Sequence, residues 1–193
     1  MLGYHQHFSL QLILLTIKSN RISSVELSTI SAVEFSPDGR RILAASEYGP
    51  IKIWEVCGKE LVNITAIDAM VTSAHFSPDG KTVLSGHTNG TLKLWDAKTG
   101  DNLKTIAGEA DVFAVAFSPD GKYVLSGSMD KKIKIWDLDT GEKLRSLSSH
   151  SSSIKSLACS NDGKYIVSAS DDGILSMWEI VSGRQLKVIK AHS

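Results

Sequence analysis

Four tryptophans, Trp54, Trp95, Trp136 and Trp178, stand 41, 41 and 42 residues apart, and each is followed at once by Glu or Asp. A unit of that length, repeated, cannot bury its own apolar faces and must stack on its neighbours. The clearest copy, residues 111–141, reads DVFAVAFSPDGKYVLSGSMDKKIKIWDLDTG. Its three apolar runs, at 112–117, 123–125 and 133–136, are rich in Val, Ile, Phe, Tyr and Trp and too short for helices. Between the first two runs, Ser118-Pro119-Asp120-Gly121 places Pro where a type I turn needs φ near −65°, with Asp beside it and Gly to close. The next breaks are at 128–132 and at 137–141, the latter ending in Gly141, and a fourth strand is expected at 143–147. Each copy therefore reads as a four-stranded antiparallel meander. Its middle strands are apolar on both faces, as in a sheet covered on both sides.

The other copies keep the order of these signals. The first, about 30–66, has Ser36-Pro37-Asp38-Gly39 and Ile51-Lys52-Ile53-Trp54, with Tyr48-Gly49-Pro50 as its second turn and a shortened turn at 56–58. It is the most divergent, as terminal repeats tend to be. The second, about 67–107, has Ser77-Pro78-Asp79-Gly80 and Leu92-Lys93-Leu94-Trp95; the third spans about 108–149. The fourth, about 150–190, softens the turn to Ser160-Asn161-Asp162-Gly163 and ends in Met177-Trp178-Glu179.

Residues 1–29 resemble no later segment closely, although 21–27 stand where each later copy has its approach strand, so they read as a divergent segment or part of a further unit. The apolar run at 10–17 is about eight residues, against the roughly 20 a bilayer-spanning helix needs. No basic n-region or small-residue cleavage site accompanies it, so the expectation is an extra strand rather than a signal peptide.

Lys plus Arg and Asp plus Glu number 21 each, so no global field draws the chain to nucleic acid or an anionic membrane. Cys57 and Cys159 fall at unrelated places in their copies, without a CxxC partner, which fits free thiols in a reducing, cytoplasmic compartment. His5 and His7 would share one side of a strand, but no Cys or carboxylate cluster accompanies them, so no metal site is expected. His75 and His87 lie in different strands of the second copy, with His87 expected on the surface near a turn. Lys131, Lys132 and Lys134 form the only dense basic cluster and, surrounded by Asp130, Asp137 and Asp139, read as a solvated edge. The nucleophile-elbow, metalloprotease, P-loop and dinucleotide-binding motifs are all missing, so neither a cofactor nor catalysis is indicated.

Taken together, the SPDGK turn, the VLSGS strand, IKIWD and the closing Thr-Gly at one spacing resemble the blades of WD-repeat β-propellers, from Ile30 to the C-terminus. That resemblance implies an all-β propeller of four-stranded blades, four of them recognisable. Ala191-His192 at the C-terminus is similar to the Gly-His that opens a further repeat. In the family a His, a Ser or Thr, an Asp and a Trp are hydrogen-bonded in series within a blade. By that pattern only the fourth copy has all four, in His150, Ser168, Asp172 and Trp178. The third has Asp130, Trp136 and Ser126 but Gly108 at the place counted for His; the second has Asn89 and Ile67 at the polar places, and the first Tyr48 and Glu26. Trp54, Trp95, Trp136 and Trp178 are then blade framework, held more by packing than by that network.

The resemblance also implies protein partners, met by residues just inside each first strand (Ser31, Thr72, Phe113, Lys155) and just before each second turn (Glu47, Thr88, Met129, Asp171). Phe113 and Met129 would then be neighbouring apolar groups on a surface, unless Phe113 packs inward; alternation alone cannot choose its face in a doubly covered sheet. An enzyme with its site in the channel would have to use Glu47, Lys155 and Asp171, which come from different copies. The implied function is a non-enzymatic interaction scaffold, the alternative being a passive sensor or spacer module of a larger multidomain protein. Propellers hold roughly four to eight blades, and seven is common in the family this chain resembles. Four such wedges make an open arc. The chain is then expected to be a piece of a longer one, to complete its ring with a second copy or another chain, or to close alone as a four-bladed ring.

Overall fold

The computed structural model describes residues 29–65, 68–148 and 150–191. The expectations placed on His5, His7, residues 10–17 and 21–27, Glu26, Ile67 and His192 fall outside the described residues. Among the described residues every regular element is a β-strand. The first sheet comprises β1 (Ile30–Phe35), β2 (Arg41–Ser46), β3 (Ile51–Glu55) and β4 (Glu60–Ile64). The second comprises β5 (Val71–Phe76), β6 (Thr82–His87), β7 (Thr91–Asp96) and β8 (Asn102–Ala107). The third holds β9 (Val112–Phe117), β10 (Tyr123–Ser128), β11 (Lys132–Asp137) and β12 (Lys143–Ser148). The fourth holds β13 (Ile154–Cys159), β14 (Tyr165–Ser170), β15 (Ile174–Glu179) and β16 (Gln185–Lys190). Each sheet joins its strands in chain order, antiparallel throughout, so all four are meanders.

The hairpin turns follow from side-chain chemistry. In the third sheet Ser118 Oγ donates to Asp120 Oδ1 (2.6 Å), which also accepts the Lys122 amide (3.1 Å), while Ser118 Oγ accepts the Tyr123 amide (2.9 Å). Gly121 closes the turn at φ +69°, a conformation open to glycine at little cost. Ser160, Asp162 and Gly163 repeat this arrangement without the proline, so Ser, Asp and Gly are what the turn requires. The hydrogen bond from Ser118 and the Lys122 amide hold the Asp120 carboxyl below the usual carboxylate range.

The core is divided into three apolar clusters, one between each pair of consecutive sheets. Leu43 and Ile53 meet Phe76 and Trp95; Leu84 and Leu94 meet Phe117 and Trp136; Leu125 and Ile135 meet Ile154 and Trp178. Each of these three tryptophans thus packs on the sheet before it. The first strands β1, β5, β9 and β13 touch in succession, which makes them the inner strands, and the fourth strands lie outermost. These sheets are propeller blades arranged as an open arc. No described residue packs on the outward side of the fourth sheet: Val167 is 39% exposed where Leu125, one repeat earlier, is 0% exposed.

Candidate partner-binding surface

Both sets of residues that the family pattern marks for partners meet at one end of the inner strands. In β9, Val112 lies opposite Ser128 but Ala114 lies opposite Gly127, so Phe113 is the extra residue of a β-bulge. The same irregularity makes Ser31, Thr72 and Lys155 the extra residues of β1, β5 and β13. A bulge leaves one residue outside the ladder and re-aims its side chain. Two residues before each bulge, a carbonyl accepts the amide of a second-turn residue. Glu47 donates to Thr29 (2.9 Å), Thr88 to Met70 (3.1 Å), Met129 to Asp111 (2.9 Å) and Asp171 to Ser153 (3.1 Å). Those four bonds hold the two sets side by side, sheet after sheet.

The bulged side chains also link the sheets. Thr72 Oγ1 donates to Gly86 O (2.9 Å) and lies 2.6 Å from Val112 O, at the start of the next inner strand. The Lys155 ammonium sits 3.9 Å from the centroid of the Phe113 ring and 3.3 Å from Asp171 Oδ2. Phe113 is therefore half-buried beneath a cation rather than displayed as bare apolar surface. Met129, 56% exposed, is the apolar side chain that stands free at this end, with the exposed Tyr48 at the same turn of the first sheet. The bulges need room: a Cβ on Gly127 would come within 2.5 Å of Ile154, and one on Gly86 within 2.7 Å of Val112. Glycine at those places lets the next inner strand approach.

Below this surface each sheet ties its second turn and its entry loop together differently. In the fourth, His150 Nδ1 faces Asp172 Oδ2 (3.1 Å), His150 Nε2 faces Ser168 Oγ (2.7 Å) and Trp178 Nε1 donates to Ser168 Oγ (3.1 Å). Burial works to raise the Asp172 carboxyl, but the Ser151 and Ile174 amides and His150 hold it below its ordinary value. In the third, Trp136 donates to Ser126 (2.9 Å), and Lys134 Nζ, 2.5 Å from Asp130 and 3.5 Å from Glu109, ties the turn to the entry loop. Lys134 is 2% exposed, not a solvated edge; its two carboxylates offset the cost of burying the ammonium. Gly108 is the close-approach residue here, its amide 3.0 Å from Gly90 O.

The second sheet overturns another expectation. His87 is buried rather than on the surface: its Nε2 lies 2.8 Å from Ser85 Oγ, which accepts the Trp95 indole N–H at 2.8 Å. Its Nδ1 faces Ala69 O (3.4 Å). A histidine two residues along the same strand thus reaches the serine that His150 reaches from its entry loop. Beside it, Lys93 Nζ lies 2.5 Å from Asp68 Oδ1. In the first sheet Ala44 stands where Ser85, Ser126 and Ser168 stand, and the buried Trp54 Nε1 has no acceptor among the described residues. Lys93, Glu109 and Ala44 escaped sequence reasoning, and His87 and Lys134 were placed on the surface by it, because it counted for the family's residue types at the family's places.

His75 Nδ1 lies 3.2 Å from Glu34 Oε1 across the first two inner strands, and Glu34 Oε2 accepts the Phe76 amide (2.7 Å). No group of three or more His, Cys, Asp or Glu able to hold a metal occurs among the described residues. Nor, among those residues, is any helix long and apolar enough to cross a membrane.

A search of curated proteins found no match to the chain. A family model described as IFT122 first beta-propeller matches residues 23–193, nearly the whole chain. Four meander sheets stacked through tryptophan-bearing interfaces and this match agree, and the chain belongs to the family of the IFT122 first beta-propeller.

Proposed function

We propose that the chain is a non-enzymatic, cytoplasmic scaffold that binds protein partners at the end of the inner strands where the bulges and second turns meet. The observation that carries this reading is the alignment of four bulged residues beside four turn residues, repeated in every sheet and fixed by backbone hydrogen bonds. Rigid backbone with varied side chains suits recognition: exposed Met129 and Tyr48 offer apolar contact, and the Lys155–Asp171 pair a polar rim. Membership of the IFT122 first beta-propeller family supports the scaffold reading, with the function carried by the loop surface rather than by the fold. A photo-crosslinking side chain placed at Met129 should capture a protein partner in cells, and one at Asp139, in the turn between β11 and β12, should not. The reading fails if both positions capture the same proteins equally, or if Met129→Ala together with Phe113→Ala leaves every partner bound.

A further inference from the structure

The second turn of the third sheet differs from its counterparts at one backbone position. Gly90 (φ +82°) and Gly173 (φ +76°) take the left-handed conformation in the second and fourth sheets, and Lys131 takes it here at φ +71°. Among the described residues Lys131 is the one non-glycine with positive φ, and glycine would hold that place with less strain. Lys132 follows at the start of β11, where Thr91 and Ile174 stand in the neighbouring sheets. Both lysines are exposed, and so is Met129, two residues before Lys131.

The charges around this turn do not cancel. The carboxylates that would make the basic cluster a solvated edge are engaged or distant. Asp130 lies 2.5 Å from the buried Lys134. Asp137 is at the far end of β11, where its Oδ1 accepts the Thr140 amide (2.8 Å), and Asp139 belongs to that same far turn. Glu109, on the entry loop, pairs with Lys143 (2.6 Å) and Lys134 (3.5 Å). Of the carboxylates at 108–111 and 128–132, Asp111 alone has no ion pair among the described residues, and neither the Lys131 nor the Lys132 ammonium has a partner there. Two free ammonium groups therefore outnumber one half-buried carboxylate. In the adjoining fourth sheet Lys155 and Asp171 neutralise each other at 3.3 Å.

We infer that this turn takes an acidic protein segment, with an apolar side chain seated on Met129 and carboxylates on Lys131 and Lys132. The inference rests on the loop-surface reading above and adds the chemistry of the partner to it. Charge at the rim of an apolar contact steers and selects a partner of opposite charge. A lysine kept where the backbone is strained is consistent with use of its side chain. A nucleic acid is the poorer match, because two lysines neutralise few phosphates and Met129 offers a phosphate nothing.

The test is selection from a displayed library of random peptides on the immobilised full chain. Enriched peptides are expected to carry net negative charge and a large apolar residue. By fluorescence anisotropy, their affinity should fall about tenfold when Lys131→Glu and Lys132→Glu are combined. It should also weaken with added salt and with Met129→Ala. Lys131→Gly should melt no lower than the parent and still bind less tightly, which separates recognition from a structural role. The inference is overturned if the enriched peptides are neutral or basic, if nothing is enriched, or if acidic peptides bind the double Glu variant as well as the parent. A single-stranded DNA oligonucleotide that binds the two lysines more tightly than the peptides also overturns it. Peptides weakened by Met129→Ala but by neither lysine variant would overturn this inference and leave the loop surface standing. Peptides that none of these variants weakens would overturn both.

Discussion

Trp54 and its three counterparts hold one place in their sheets and differ in one hydrogen bond. Ser85, Ser126 and Ser168 each accept the indole N–H of their tryptophan, whereas Ala44 leaves the Trp54 indole buried without a partner among the described residues. A buried donor left unmade costs about 1–3 kcal/mol. Ala44→Ser supplies the missing oxygen at the same place in the ladder, opposite Val33 and Lys52, as Ser85 lies opposite Ala74 and Lys93. The variant is expected to gain about 1 kcal/mol in urea denaturation, and a loss would show that the indole already has what it needs. His87 supplies a pH dependence. Desolvation, helped by the Lys93 charge, lowers its pKa, against the Ala69 carbonyl and the Asp68 carboxylate, which favour the proton. The folded state therefore binds fewer protons than the unfolded one once pH drops below the ordinary histidine value of about 6.5. Stability is complete above that value and declines as pH falls from it toward the lowered folded pKa. Thermal melts between pH 8 and 5 should show this decline, taken as roughly that range from the ordinary value, and His87→Gln should flatten it. An unchanged slope in that variant would assign the decline to other groups.

At the scale of the strand and the turn, the repeat was legible because its signals are local. The Ser-x-Asp-Gly turn, the β-branched runs and the tryptophan period each act within a few residues, and the sixteen strands of the four sheets follow from them. The loop between sheets was not legible, since its partners are distant in sequence and its length varies. Counting back from Trp136 puts Gly108 at the place of the family histidine, but the structure puts Gly108 against Gly90 O and gives the tie to Glu109 and Lys134. Likewise, alternation could not decide between an exposed and an inward Phe113, because the bulge takes that residue out of alternation and Lys155 then covers its ring. Inserting the family residue by Gly108→His should therefore destabilise rather than repair. A Cβ there would lie 2.3 Å from Gly90 O, a contact that backbone must move to relieve. The expected loss is about 1–3 kcal/mol by urea denaturation, and a gain would mean that the loop can be rebuilt around a histidine.

For the molecule as a whole, stability is set by how many neighbours a sheet has. Among the described residues the second and third sheets are covered on both sides by apolar clusters, while the fourth has one such side. In an array coupled only through adjacent units, a sheet covered on one side opens at lower free energy than one covered on both. Hydrogen exchange should therefore be slowest for amides of β6, β7, β10 and β11 and fastest for β16. β16 is an outer strand, and all but its first residue are exposed. Equal protection in all four sheets would mean that the arc unfolds as one cooperative unit, with coupling along the inner strands, through contacts such as Thr72 to Val112, stronger than the loss of a covered face.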